Sequence, residues 1–235
     1  MVNSHIIKKF QEQASVRGGG GTVKLLKKKD DGSIIYEMIT LILIVTMMVF
    51  LVTLLYERQL KSIKFQCDND VITASLAANK VDVYSLATNY NILMDTGSLD
   101  GSVTYGNVVS DGSVTEQFRN ASFKAYDVAY NCFCDTLKTN MSLDDDFKPT
   151  KTTQIIAVKI VDFRLYNVCN NDVFEIKKTD GSYSVEAYAI NSFKTPSNDV
   201  VGASGLYVKV EVTINNSIKK GTSKFNLSSY VDSTQ

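Results

Sequence analysis

The run MITLILIVTMMVFLVTLLY, residues 38–56, decides the fold of this chain of 235 residues. It has 19 residues and contains no charge, proline or glycine. At about 1.5 Å per residue, a helix of this length crosses a hydrocarbon core of about 30 Å. The run is longer than the roughly 7–15 apolar residues of a secretory signal, and no small-x-small cleavage site follows it. It therefore predicts a transmembrane helix that stays in the protein.

The charge on the two sides of this run is unequal. Residues 1–32 carry seven Lys or Arg and three Asp or Glu, a net charge of +4, and since the whole chain is formally neutral the remainder carries −4. Basic residues beside a membrane span hold that side in the cytoplasm. We therefore expect residues 1–32 to be a cytoplasmic basic leader, residues 33–56 to be the transmembrane helix, and the C-terminal part to be extracytoplasmic.

The carboxylate of Glu37 immediately precedes the apolar run. On insertion scales a charge at a helix centre costs about 2.5–3.5 kcal/mol, so a chain that keeps Glu37 there usually has a partner for it. The stretch KKKDDGSIIYE, residues 27–37, resembles the processing site of type IV prepilins. The resemblance implies that a prepilin peptidase cuts between Gly32 and Ser33, and that Glu37 becomes the fifth residue and faces the free amine of a neighbouring subunit. A buried carboxylate and a buried ammonium are tolerated as a pair.

The overall plan is similar to that of TadE-like pseudopilins, in the tight-adherence branch of the type IV filament systems. This resemblance implies a membrane-anchored subunit of a filament or secretion machine, whose partners are the peptidase, an inner-membrane assembly platform and other pilin subunits. Ser33 stands where many type IV pilins have Phe or Met, and Met38 stands where the small Flp-type pilins have Tyr. These departures and the long leader indicate a minor subunit. The alternative is a signal-anchored extracytoplasmic binding domain that does not polymerise.

The residue composition restricts the catalytic and metal-binding chemistry that the chain can perform. His5 is the single histidine, and it lies in the leader. Removal of the leader therefore excludes Ser-His-Asp and Cys-His catalysis and histidine-based zinc sites. The acidic cluster Asp144–Asp146 lacks the spacing of a calcium loop and is interpreted as a solvated loop before Pro149. We predict an assembly protein and no enzyme, with no cofactor and no metal site, and without a basic stripe we expect no nucleic-acid partner.

Beyond the membrane the apolar residues keep a helical spacing. They recur at steps of three and four, at Leu60, Ile63, Cys67, Val71, Ala74, Ala78 and Val81. This spacing predicts an amphipathic stalk helix over residues 57–96, since the first glycine after it is Gly97. A second helix of about 15 residues is predicted from Phe118 to Cys132.

The last third of the chain favours strands. Residues 155–168 are rich in β-branched and aromatic side chains, and residues 206–214 alternate apolar with polar. Asp180-Gly181 separates two further candidate strands and is a strong hairpin signal. The prediction is an α+β protein, in which the head at residues 97–235 has a C-terminal antiparallel sheet of about four strands, as in pilin heads.

Four cysteines follow the membrane run, on the side where disulfides persist. They are Cys67, Cys132, Cys134 and Cys169. Four cysteines allow three pairings. Cys132 and Cys134 point in different directions on either a helix or a strand, so each is expected to find a distant partner. We predict one disulfide from Cys67 to the second helix and another from that helix to Cys169; a Cys-x-Cys metal or redox site is the less favoured alternative.

Overall fold

The structure is a computed structural model that describes residues 22–81, 94–95, 115–151, 153–169, 171–216 and 221–233. The chain divides into two compact units, Met1–Lys61 and Ser62–Gln235. The predicted α+β class is confirmed: a long apolar N-terminal helix is followed by a second helix and then by an antiparallel sheet. Residues 97–114, at the start of the predicted head, lie outside the described residues.

The first helix, α1, spans Thr22–Ala78. The apolar spacing predicted for its second half is confirmed, because Cys67, Val71, Ala74 and Ala78 are all buried. The predicted extension to residue 96 is wrong, since α1 ends at Ala78 and Val81 instead forms an isolated β-bridge with Met94. The side-chain amide of Asn79 donates a hydrogen bond to the backbone carbonyl of Asp232, 2.8 Å away, so a contact with the sheet replaces the next helical turn.

The second helix, α2, spans Glu116–Met141 and is longer than predicted. At its N-terminus the Thr115 hydroxyl accepts a hydrogen bond from the Phe118 amide at 3.2 Å, a standard N-cap. Ser142 ends the helix in the left-handed region, with φ 53°. The helix continues past Cys132 because its apolar spacing continues: the side chains at four-residue steps are buried, namely Ala121, Ala125, Ala129, Phe133, Leu137 and Met141.

The sheet has five strands where about four are predicted. They are β1 (Ile155–Cys169), β2 (Asp172–Thr179), β3 (Ser182–Ala189), β4 (Gly205–Asn216) and β5 (Gly221–Asp232). Their order is β3-β2-β1-β4-β5, and every neighbouring pair is antiparallel. The predicted hairpin between β2 and β3 is confirmed: Asp180 and Gly181 have φ angles of 50° and 81°, as a two-residue turn requires.

The two faces of the sheet are covered differently. On one face the Phe163 ring packs against Tyr126, Tyr130 and Phe133 of α2. The other face is covered by the connection from edge strand β3 to β4, which must cross β2 and β1 to reach the place of β4 beside β1. This connection contributes Val201 and Phe193 to a cluster with Tyr166 and Tyr207. The long crossover therefore builds the second half of the core.

Candidate functional site

The proposed processing site lies inside α1. Gly32 and Ser33 are both helical, and Ser33 lies one turn before Glu37. The Ser33 hydroxyl donates a hydrogen bond to Oε1 of Glu37 at 3.3 Å, and both side chains are exposed. Among the residues whose side chains the structure describes, no Lys or Arg forms an ion pair with Glu37. The helix therefore presents the predicted new N-terminal residue and the predicted assembly carboxylate on one face.

No described part of the chain covers the apolar run beyond Glu37. Its large apolar side chains are exposed, from 41% at Leu54 to 65% at Leu41 and Leu55, and no residue in the most hydrophobic 18-residue stretch of the helix is buried. A core helix of a soluble protein would be covered by other elements. With a mean hydropathy of 2.9, this helix is long and apolar enough to cross a membrane. Burial of its surface requires lipid or other helices.

The threonines in this run are satisfied within the helix. The hydroxyls of Thr40, Thr46 and Thr53 donate to backbone carbonyls four residues earlier at 2.8, 2.8 and 2.9 Å. In hydrocarbon an unsatisfied hydroxyl costs several kcal/mol, on the order of the loss on transfer to an apolar solvent. These bonds remove that cost. The polar chemistry at the start of the run is then concentrated at Ser33 and Glu37.

The predicted disulfides are not formed in this structure, where all four cysteines are free. The Cys132 thiol donates to the backbone carbonyl of Ala77 at 3.3 Å. Ala77 is ten residues from Cys67 along α1, a rise of about 15 Å. A disulfide needs Cα atoms about 4.4–6.8 Å apart. Cys132 is therefore anchored too far along α1 to reach Cys67 in this structure.

Cys134 and Cys169 lie on different elements of the head, the first on α2 and the second on β1. Cys134 is buried and forms a hydrogen bond with the Tyr130 side chain, and Cys169 is buried at the end of β1. Burial raises the pKa of both thiols above the ordinary value. Since the thiolate is the reactive species, both groups are poor nucleophiles at neutral pH.

We expect that the full chain, purified in detergent micelles without reductant, contains four free thiols. Titration with a thiol reagent in denaturant is the measurement, with an aliquot reduced beforehand as the control. The thermal unfolding midpoint should be the same with and without reductant, because no disulfide constrains the unfolded chain. A count of two thiols or none before reduction would contradict the arrangement seen here.

The acidic cluster behaves as the predicted solvated loop. Asp144, Asp145 and Asp146 are exposed. The Asp144 carboxylate accepts backbone hydrogen bonds from Asp146 and Lys148, at 3.0 and 2.8 Å, which closes the loop on itself. Asp145 pairs with Lys138 at 2.9 Å. Within the described ranges of the chain, no group of three or more His, Cys, Asp or Glu residues is placed to hold a metal ion.

The structure also contains a site that the sequence does not indicate, a cavity of about 560 Å³ in the head that we call the hairpin cavity. Its floor is formed by Tyr126 and Tyr130 of α2 and by Phe163 of β1. One wall is β1 at residues 160–162, and the other is the turn of the β2–β3 hairpin at residues 178–181. Sequence reasoning locates the helix, the strand and the turn, but only the packing of the hairpin on α2 brings them together.

Two contacts hold the hairpin against α2. The Phe123 and Tyr183 rings stack at 4.5 Å between centroids, and the Tyr183 hydroxyl donates to Oδ1 of Asp127 at 2.6 Å. The Lys178 ammonium lies 4.4 Å from the centroid of the Tyr183 ring and donates to its hydroxyl at 2.9 Å. A stacked pair, a charge-assisted hydrogen bond and a cation–π contact therefore fix the wall of the cavity.

Comparison of this chain with protein-family models, with curated proteins and with solved structures returns no match. The chemistry that bears on function lies in the two sites described above. They lie in different parts of the chain: the Ser33–Glu37 site is in the unit Met1–Lys61, and the hairpin cavity is in the unit Ser62–Gln235.

Proposed function

We propose that this chain is a minor pilin or pseudopilin of the TadE-like kind, an assembly protein and not an enzyme. The observation that carries the proposal is the Ser33–Glu37 contact at the start of an apolar helix that no part of the described chain covers. An uncovered apolar helix supports insertion in a membrane. A carboxylate at its start, one turn after a Gly-Ser bond, supports the further step of processing and assembly.

In this proposal the basic leader keeps the N-terminus in the cytoplasm, and the unit that contains the sheet is exported. The peptidase removes residues 1–32 by cutting between Gly32 and Ser33. Because both residues are helical here, the helix must unwind locally before the bond can enter an active site. We therefore expect cleavage to depend on how readily α1 frays at this position, and Gly32 lowers the cost of unwinding since glycine is a poor helix former.

After cleavage the α-amine of Ser33 becomes a cation at the end of an apolar helix. Glu37 of a neighbouring subunit is its partner in the filament. The Ser33 hydroxyl already occupies one oxygen of Glu37 within the subunit, at 3.3 Å, a separation at the long end for such a bond. A charged donor forms a stronger bond to a carboxylate than a neutral hydroxyl does, so an incoming ammonium can displace the hydroxyl.

The soluble half of α1 offers a second surface for other subunits. Phe65, Ile72 and Leu76 are exposed, by 68%, 38% and 49%, on the side of the helix opposite to buried Cys67 and Val71. Residues at helical steps of seven and four share one face. In the proposed filament this stripe packs against a sibling pilin, while the inner-membrane platform holds the subunit before assembly.

The experiment that tests processing is mass spectrometry of the intact chain and of its N-terminal peptide, after extraction from the native membrane. We expect a mature chain that begins at Ser33. A Gly32→Leu variant should retain residues 1–32, because the resemblance assigns the residue before the bond as the one the peptidase requires. Gly21→Leu, in the same leader, is the matched control and should be processed normally.

A native chain that still carries residues 1–32 would contradict the proposal. The chain would then be a signal-anchored extracytoplasmic binding domain that does not polymerise. The same result for Gly32→Leu and for the unmodified chain would show that Gly32 has no part in processing.

A further inference from the structure

The hairpin cavity has the size of a ligand site and a mixed lining. Its volume of about 560 Å³ lies within the roughly 300–1,000 Å³ of small-molecule sites. Tyr126 and Phe163, both 4% exposed, close the floor, while Tyr130 is only partly buried and presents part of its ring. The Tyr126 hydroxyl is engaged with the backbone carbonyl of Phe163 at 3.4 Å, so the floor is fixed by both packing and hydrogen bonding.

Two of the three carboxylates that line the cavity are paired with cations. Asp162 accepts from Arg164, whose Nη2 lies 2.8 Å from the carboxylate, and Arg164 also binds the buried Glu175 at 2.9 Å. On the other wall, Lys178 lies 3.7 Å from the carboxylate of Asp127. A strongly cationic or anionic ligand would have to break one of these pairs. Asp180, the third carboxylate of the lining, lies in the exposed turn, where water solvates it. With the other charges paired, the lining favours a ligand without net charge.

Hydrogen-bonding groups reach the cavity from α2 and from the hairpin. The Asp127 carboxylate supplies acceptors, and the Lys178 ammonium supplies a donor. Between Ile160 and Asp162 the register of β1 with β4 shifts, so Val161 has no partner in that ladder. A β-bulge of this kind leaves backbone groups outside the ladder and occurs often beside binding sites. The cavity thus offers donors and acceptors together, around one partly exposed aromatic ring.

We propose that the hairpin cavity binds a neutral, polyhydroxylated ligand, a saccharide segment. Hydroxyl groups act both as donors and as acceptors, which matches the mixed polar walls, and the apolar face of a sugar ring matches the exposed part of Tyr130. Lipid is a poor fit, because charged groups, Asp127, Lys178 and Asp180, line the cavity on the sides of α2 and the hairpin. The inference does not depend on assembly, since every lining residue lies between residues 126 and 181.

The test is saturation-transfer difference NMR on the full chain in micelles of lauryldimethylamine oxide, a detergent without a sugar headgroup. The probes are three neutral trisaccharides, cellotriose, maltotriose and triacetylchitotriose. We expect saturation transfer to at least one of them. Titration calorimetry of that sugar should give a dissociation constant that rises about tenfold in Tyr130→Ala, since loss of an aromatic contact is of that order.

Two further variants make the result specific. Tyr130→Phe keeps the ring and should bind within about threefold of the unmodified chain. Thr179→Arg places a long side chain at the exposed rim and should block the cavity without disturbing the core, so it remains informative if Tyr130→Ala does not fold. Tyr188→Ala is the matched control, because Tyr188 stacks on Phe193 at the opposite face of the sheet.

Two outcomes overturn the inference. One is the absence of saturation transfer to all three trisaccharides at millimolar concentration. The other is binding that Thr179→Arg and Tyr130→Ala leave unchanged, which would place the sugar elsewhere on the protein. Neither outcome bears on processing at Gly32, so failure of this inference and failure of the proposed function are distinguishable.

Discussion

Glu37→Ala is expected to leave membrane insertion intact and to abolish incorporation into filaments. Insertion depends on the apolar run, which the substitution makes more apolar. In the proposed filament, incorporation brings the α-amine of Ser33 into an apolar environment, where an unpaired charge costs about 3–5 kcal/mol. At about 1.4 kcal/mol per tenfold, the loss at each subunit contact is on the order of 100-fold or more. The measurement is an immunoblot of sheared surface fractions against membrane fractions.

Glu57→Ala is the matched control for this experiment. Glu57 is an exposed glutamate that follows the apolar run immediately, so its loss removes the same charge without touching the Ser33 site. We expect normal incorporation of that variant. Glu37→Gln keeps the shape and loses the charge, and it should fail as Glu37→Ala does. Normal amounts of Glu37→Ala in the sheared fraction would defeat the assembly role of this carboxylate.

Phe163→Ala is expected to lower the free energy of unfolding of the head by about 3–5 kcal/mol, the usual cost of deleting a buried aromatic side chain. Phe163 is 4% exposed, and its ring centroid lies 5.2, 5.3 and 5.8 Å from those of Tyr126, Tyr130 and Phe133. Its removal leaves a void between α2 and β1 that rigid neighbours cannot fill. Urea denaturation of the full chain in micelles, followed by circular dichroism, measures the change.

Phe65→Ala is the control for the stability experiment, because it makes the same substitution at a side chain that is 68% exposed. We expect its free energy of unfolding to change by less than about 0.5 kcal/mol. Similar losses for the two variants would mean that Phe163 does not form the junction between α2 and the sheet. Phe163 also forms the floor of the hairpin cavity, so its loss should weaken any saccharide binding as well.

The parts of the fold that depend on local pattern follow from the sequence. The uncharged run at 38–56 is long enough to define a helix by itself. Cys67, Val71 and Ala74 have helical spacing in the sequence, and all three are buried in the structure. Asp180-Gly181 specifies a two-residue turn because this pair readily adopts the positive φ angles that such a turn requires at both positions. The Ser33–Glu37 contact likewise follows from the spacing, since residues four apart share a helix face.

Other features depend on contacts between distant parts of the chain. The end of α1 at Ala78 could not be predicted, because the group that replaces the next turn, the carbonyl of Asp232, lies 153 residues away from Asn79. The distance between Cys132 and Cys67 depends on packing in the same way, since only the packing of α2 places Cys132 beside Ala77. Redox compartment and residue spacing carry no information about that distance.

The sequence by itself thus determined the apolar helix, its carboxylate at Glu37, the hairpin turn and the α+β class, all of which are encoded in residues a few positions apart. Only the tertiary structure decided the strand order β3-β2-β1-β4-β5, the free cysteines and the hairpin cavity. The physical reason is that periodicity and turn chemistry act along the chain, whereas burial and hydrogen bonding select among many possible pairings of distant segments.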